Sequence, residues 1–212
     1  MRISLTPVGC GYAGFMRRSH IALFAVALLA ATAALAGLAL AGSRASEPGT
    51  SSACKVSVYP GLQPKHVKSL TFKPVYNSDP PTSGTHYYLP AKWNIYSQEI
   101  PQIALVHNLE HGGIVVQYGD RVPATTISRL SLWYFGNSNG LVVAPYAKLG
   151  SSIVLEAWNE PPYSTTPPKD VGGHGYLATC SQFDEAAFDA FAKAHRYKSG
   201  ERFPKAYLAR GA

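Results

Sequence analysis

The sequence predicts an α+β protein. It is a single domain with a small mixed sheet, two main helices and a proline-rich extended N-terminal part, preceded by one N-terminal transmembrane helix. Three observations carry this reading. Residues 21–41 (IALFAVALLAATAALAGLALA) form an uncharged apolar run. Beyond residue 100, short β-branched stretches alternate with helix-patterned ones. Prolines crowd into two regions, Pro60 to Pro90 and Pro161 to Pro168, where neither helix nor central strand is favoured.

The apolar run sets the organisation. At 1.5 Å per residue, a 21-residue helix crosses the ~30 Å hydrocarbon core of a bilayer. Arg17 and Arg18 precede it and Arg44 follows it, which places residues 1–20 on the cytoplasmic side as a short basic segment. Residues 42–53 (GSRASEPGTSSA) read as a linker, and 54–212 as a domain outside the cytoplasm. A second reading stays open. Ten of the 21 residues are alanine, and Ala39-Leu40-Ala41 is a small-x-small pattern, so the run also reads as a signal peptide cleaved near Ala41. The first reading gives a single-pass membrane protein, the second a secreted or periplasmic one.

Charge excludes one class of partner. The chain carries 19 Lys+Arg and 12 Asp+Glu, a net charge of +7. Arg2, Arg17 and Arg18 precede the apolar run and no acid does, so residues 42–212 hold 16 bases against 12 acids. Those bases are scattered, and a nucleic-acid interface needs them clustered on one face. The membrane is the one partner expected, and nothing in the sequence names a protein partner.

Within the domain, residues 54–92 read as extended chain with tight turns, and Asp79-Pro80-Pro81-Thr82-Ser83-Gly84 as a rigid loop. Ile103 to His111 reads as a short helical turn ended by Gly112-Gly113. A strand comes next at 114–118, then a helix opened by Pro123 over roughly 125–135. Residues 141–144 and 153–158 read as strands paired in an antiparallel hairpin. Residues 159–175, with four prolines and three glycines, read as a long irregular loop. The last helix starts near Ser181, with Ser181 and Asp184 resembling a capping box. Cys54 and Cys180 are the two cysteines of the exported part, and a disulfide between them is expected.

The chemistry lies in histidines. His107 and His111 stand four apart, so on a helical turn they share a face and can bind one metal ion at ~2.0–2.1 Å each. On a strand they would be ~13 Å apart. His86 comes just after the stiff loop, a well-preorganised place for a ligand. Asn108 and Ser83 read as supporting residues around these ligands, and Glu110 as a supporting acceptor for an imidazole N–H, a ligand or a general base. His-Asn-Leu-Glu-His is not the zinc-protease pattern, in which the glutamate directly follows the first histidine. Ser83 lacks the Gly-x-Ser-x-Gly elbow of a nucleophile. His174 sits between glycines in the loop, and His195 reads as a helix-end cation.

Three segments together resemble a known family. Tyr76 to His86 (YNSDPPTSGTH), Val106 to Gly113 (VHNLEHGG), and Ala157-Trp158 with Cys180-Ser181-Gln182-Phe183-Asp184 are similar to the signatures of the bacterial family called domain of unknown function 3105. His66-Val67 resembles its early His-Val. The resemblance runs over roughly residues 54–204. The loop 159–175 looks longer than the family's, and Gly200 to Pro204 only approximates its Gly-Pro-Glu. The resemblance implies an anchored or exported domain and places His66, His86, His107 and His111 in motif positions. It supplies no activity.

The leading expectation is therefore an extracytoplasmic domain that binds zinc or copper through His86, His107 and His111, with His66 as a fourth or gating ligand. A metal-free envelope module is the alternative. A hydrolase in which Glu110 or a histidine activates water comes third.

Overall fold

The structure, a computed structural model, describes residues 53–160, 172–201 and 203–212. The apolar run 21–41, all but the last residue of the 42–53 linker, and residues 161–171 of the proline-rich loop lie outside these. No helix among the described residues is long and apolar enough to cross a membrane.

In chain order the elements are β1 (Cys54–Pro60), β2 (Lys65–Val67), β3 (Thr85–Tyr87), α1 (Gln102–Glu110), β4 (Ile114–Tyr118), α2 (Ala124–Asn137), β5 (Leu141–Pro145), β6 (Ile153–Asn159), β7 (His174–Cys180) and α3 (Glu185–His195). The main sheet has the order β1-β7-β6-β4-β5, with β4 and β5 parallel and the other pairs antiparallel. The α+β class and the mixed sheet agree with the sequence reading. The described α-helices number three, because the turn read at 103–111 is a full helix of nine residues.

β4 shows why the sheet is central. Ile114 and Val116 face one core, with Leu130, Trp133, Phe188 and Phe191 of α2 and α3. Val115 faces a second core, with Leu105, Val106 and Leu109 of α1 and with Trp93 and Trp158. Alternate residues of a strand point to opposite faces, so a strand buried on both sides is mostly apolar, and the buried polar residue of β4, Gln117, is hydrogen-bonded to Gln102 and Glu156. Helices α2 and α3 thus cover one face and α1 the other. The free edge of β5 is covered by a bridge to Ile95, where Val143 N–H donates to Asn94 and Tyr96 N–H donates to Val143.

Three expectations are corrected. β5 and β6 do not form a hairpin: both flank β4, one parallel and one antiparallel. The end of the 159–175 loop is strand β7, which pairs on both sides, with β1 and with β6. The cap of α3 is Asp184, whose side chain accepts from Ala187 N–H at 3.2 Å, so the helix begins after Ser181. The disulfide expectation holds: Cys54 and Cys180 are register partners on β1 and β7 and are bonded.

One buried acid has a testable consequence. Glu156 on β6 is fully buried, and its Oε1 accepts from Gln117 at 2.8 Å. Burial pushes its carboxyl well above the usual range. A carboxyl held protonated in the fold stabilises fully below its unfolded pKa and loses that contribution as pH rises, by up to about 1.4 kcal/mol per pH unit. Glu156→Gln cannot ionise. Chemical denaturation is expected to show the variant gaining on the wild type as pH rises above about 4.3, with no pH-dependent difference well below that.

Candidate metal centre

The site begins with the end of α1. From Ile103 to Glu110 every residue of this helix is buried, so its polar residues need partners inside the protein. His107 and Glu110 stand three apart and share a face. The helix ends at Glu110, capped by His111, because Gly112 takes a left-handed φ of 81° and because Gly113 lies against Trp93. A Cβ on Gly113 would come within 2.3 Å of the Trp93 ring.

The second wall is the loop before β3. Ser78 Oγ accepts from Thr82 N–H at 3.0 Å, and Ser83 Oγ accepts from Leu62 N–H at 3.0 Å. Ser83 thus ties the chain entering β2 to this loop. β2 and β3 pair in parallel with His66 opposite His86. Asn108 clamps α1 to the segment after β3: its amide donates to Ala91 O at 2.8 Å and its oxygen accepts from Ala91 N–H at 3.0 Å. Ser83 and Asn108 therefore support the walls, and neither belongs to the group of donor atoms that gathers between them.

Four side chains converge there. His66, His86, His107 and Glu110 each offer one donor atom, all within 4.8 Å of one another. Glu110 Oε2 lies 3.4 Å from His66 Nε2, 2.9 Å from His86 Nε2 and 4.0 Å from His107 Nε2. The buried rings are fixed by backbone carbonyls. His86 Nδ1 is 2.7 Å from Gly84 O, and His107 Nδ1 is 2.7 Å from Tyr87 O. A carbonyl only accepts, so each Nδ1 carries the proton. In the neutral rings, each Nε2 then presents a lone pair to the centre. His86 Nε2 is fully buried and, among the described residues, makes no properly directed hydrogen bond, although Glu110 is so close. A lone pair and a carboxylate at that distance repel unless a proton or a cation lies between them.

His111 is placed differently from the sequence expectation. Its Nε2 meets His107 Nε2 at 2.9 Å and Glu201 Oε2 at 3.1 Å, and its ring stacks on Phe203 with centroids 4.0 Å apart. It sits beside the group of four, and Glu110 stands in the group where His111 was expected. His174 and His195 lie elsewhere: His174 opens β7, and His195 packs between Tyr176 and Phe191.

The surroundings favour a neutral His107, a neutral His111 and an ionised Glu110. Burial, outweighing the Tyr87 carbonyl bond, lowers His107 to about 4. Burial and the neighbouring His107 lower His111 to about 4. Burial works to raise Glu110, but the His86 contact and the charges of the surrounding histidines outweigh it and hold the carboxyl below its ordinary value. At neutral pH this leaves a neutral His107 beside a carboxylate, and because the His107 proton sits on Nδ1, its Nε2 lone pair accepts from His111 Nε2–H.

Sequence reasoning missed Glu201 and Phe203. Burial and the nearby Glu110 raise Glu201 to about 7. Both residues reach the site from the C-terminal segment, whose sequence has no helical or strand periodicity to place it.

The model of the family described as Protein of unknown function (DUF3105) matches residues 66–207. The chain belongs to this family. The match begins at His66 and spans all four converging residues, so the whole cluster lies within the family's domain. No curated protein and no solved structure matches the chain.

Proposed function

We infer that the domain binds one transition-metal ion, zinc or copper, between His66, His86, His107 and Glu110. The observation that carries this reading is the pair of bonds from His86 and His107 Nδ1–H to the Gly84 and Tyr87 carbonyls. Such bonds fix the tautomer of metal-ligating histidines and aim Nε2 at the ion. The donor set also fits by size. Four ligands at ~2.0–2.1 Å in a tetrahedron stand about 3.3 Å from one another. The gathered atoms span 2.9 to 4.8 Å, so sub-ångström to roughly 1.5 Å side-chain shifts close the shell.

Three imidazoles and one carboxylate are donors for zinc or copper(II). In such a site Glu110 offsets half of the ion's charge in a low-dielectric pocket, and the histidines supply lone pairs without adding charge. The Cys54–Cys180 bond supports an oxidising compartment for the domain. Together with the apolar run 21–41, it supports an extracytoplasmic domain on a membrane anchor, or a secreted one after cleavage near Ala41.

The test is dialysis of the purified protein against zinc or copper, then against buffer, and finally elemental analysis. One ion per chain is expected. A protein that retains none is the metal-free module, with a proton shared between His86 and Glu110.

A further inference from the structure

The four side chains are not held alike, and the difference points to what the site does with its ion. His86 is fully buried, Glu110 and His107 nearly so, while the His66 side chain is 48% exposed. His86 and His107 are each locked by a backbone carbonyl. Among the described residues His66 has no such bond, and its ring stands 3.4 Å from Glu110 with ring centroids 4.6 and 4.9 Å from His86 and His107.

The backbone under His66 is equally lightly held. β2 is three residues long and pairs only with β3, outside the main sheet. Residues 68–73, immediately after it, are exposed throughout. Segments with little buried surface open at a small fraction of the cost of unfolding the domain. Three ligands therefore belong to a rigid wall, and the fourth belongs to an exposed flap.

We propose that His66 is the exchange ligand of the centre, so that the domain carries a transferable ion rather than a structural one. This rests on the metal-binding reading above. His66 Nε2 leaves the ion first, a donor atom of an incoming acceptor takes its place, and the ion departs from the wall of His86, His107 and Glu110 through the opening that His66 vacates. The acceptor is a small chelator or an exposed chelating side chain able to approach β2. Coordination bonds are exchanged one for one, and no electron changes hands.

The experiment uses the full chain loaded with one zinc ion and mixed with a small chromophoric chelator at several concentrations. The expected release rate rises with chelator concentration, because the acceptor attacks at the open side. The His66→Ala variant is expected to take up one ion still and to release it roughly 10-fold faster or more. A release rate independent of chelator concentration and equal to the rate of global unfolding would overturn the proposal. So would a His66→Ala variant that releases zinc at the wild-type rate, or one that takes up no ion at all. Wild-type protein that never loads zinc or copper fails at the earlier step and removes the metal-binding reading itself.

Discussion

His107→Ala is expected to weaken metal binding by roughly 100-fold or more, since even residues that merely orient a ligand are worth 10–100-fold. The variant loses a donor from the rigid wall, one whose ring is fixed by the Tyr87 carbonyl. His111 is the informative control. It is four residues away on the same face and touches His107, yet its nitrogen lies outside the group of four. His111→Ala is expected to keep the ion with at most about a 10-fold loss, the range of a supporting contact. Titration calorimetry on both variants reads the difference. The metal-free melting temperature shows whether each variant folds. Equal losses at His107 and His111 would move the centre to the helix-end pair and leave Glu110 a bystander.

The second large effect is on stability. The Cys54–Cys180 bond closes a loop with a sequence separation of 126. In the chain-entropy model such a loop stabilises by about 5 kcal/mol, and native disulfides typically contribute 2–5 kcal/mol. β1 depends on this bond more than the core strands do. It is an edge strand with most of its side chains at least partly exposed, so little apolar burial holds it. The Cys54→Ser, Cys180→Ser double variant is expected to melt roughly 4–20 °C lower, read by circular dichroism. Because β1 leads directly into Leu62 and β2, its detachment also loosens His66. Metal release should therefore quicken in the same variant. A melting temperature within 2 °C of the wild type, on the order of the smallest shift that 1 kcal/mol produces, would show that β1 is held by its ladder alone.

Much of the site was legible because its signals are local. Gly112-Gly113 ends a helix, and the four-residue spacing before it puts two histidines on one face. The same helical geometry left the gathering of Glu110 with the histidines unread. Residues three and four apart share that face equally, so α1 alone cannot decide between Glu110 and His111. The decision comes from His66 and His86, which reach the site through β2 and β3. These are three-residue parallel strands with no periodicity to read. The fold shows the same division. β4, β5 and β6 are apolar enough to be recognised as strands, but which of them lie side by side is settled by packing across the sheet. That is why two strands close in sequence were read as a hairpin when β4 separates them. β7 was hidden by Gly172-Gly173-His174-Gly175, a run that reads as loop. Gly175 is needed there because a Cβ would come within 2.0 Å of Thr82 Oγ1 in the loop that carries His86.

The central claim is that three imidazoles and one carboxylate share one ion. X-ray absorption at the metal edge of the dialysed, loaded protein tests it most directly. The predicted shell has three imidazole nitrogens at ~2.0–2.1 Å and one carboxylate oxygen at ~2.0–2.2 Å, with Glu110→Gln altering the oxygen contribution alone. A shell with fewer than two imidazoles, or one that Glu110→Gln leaves unchanged, would contradict it.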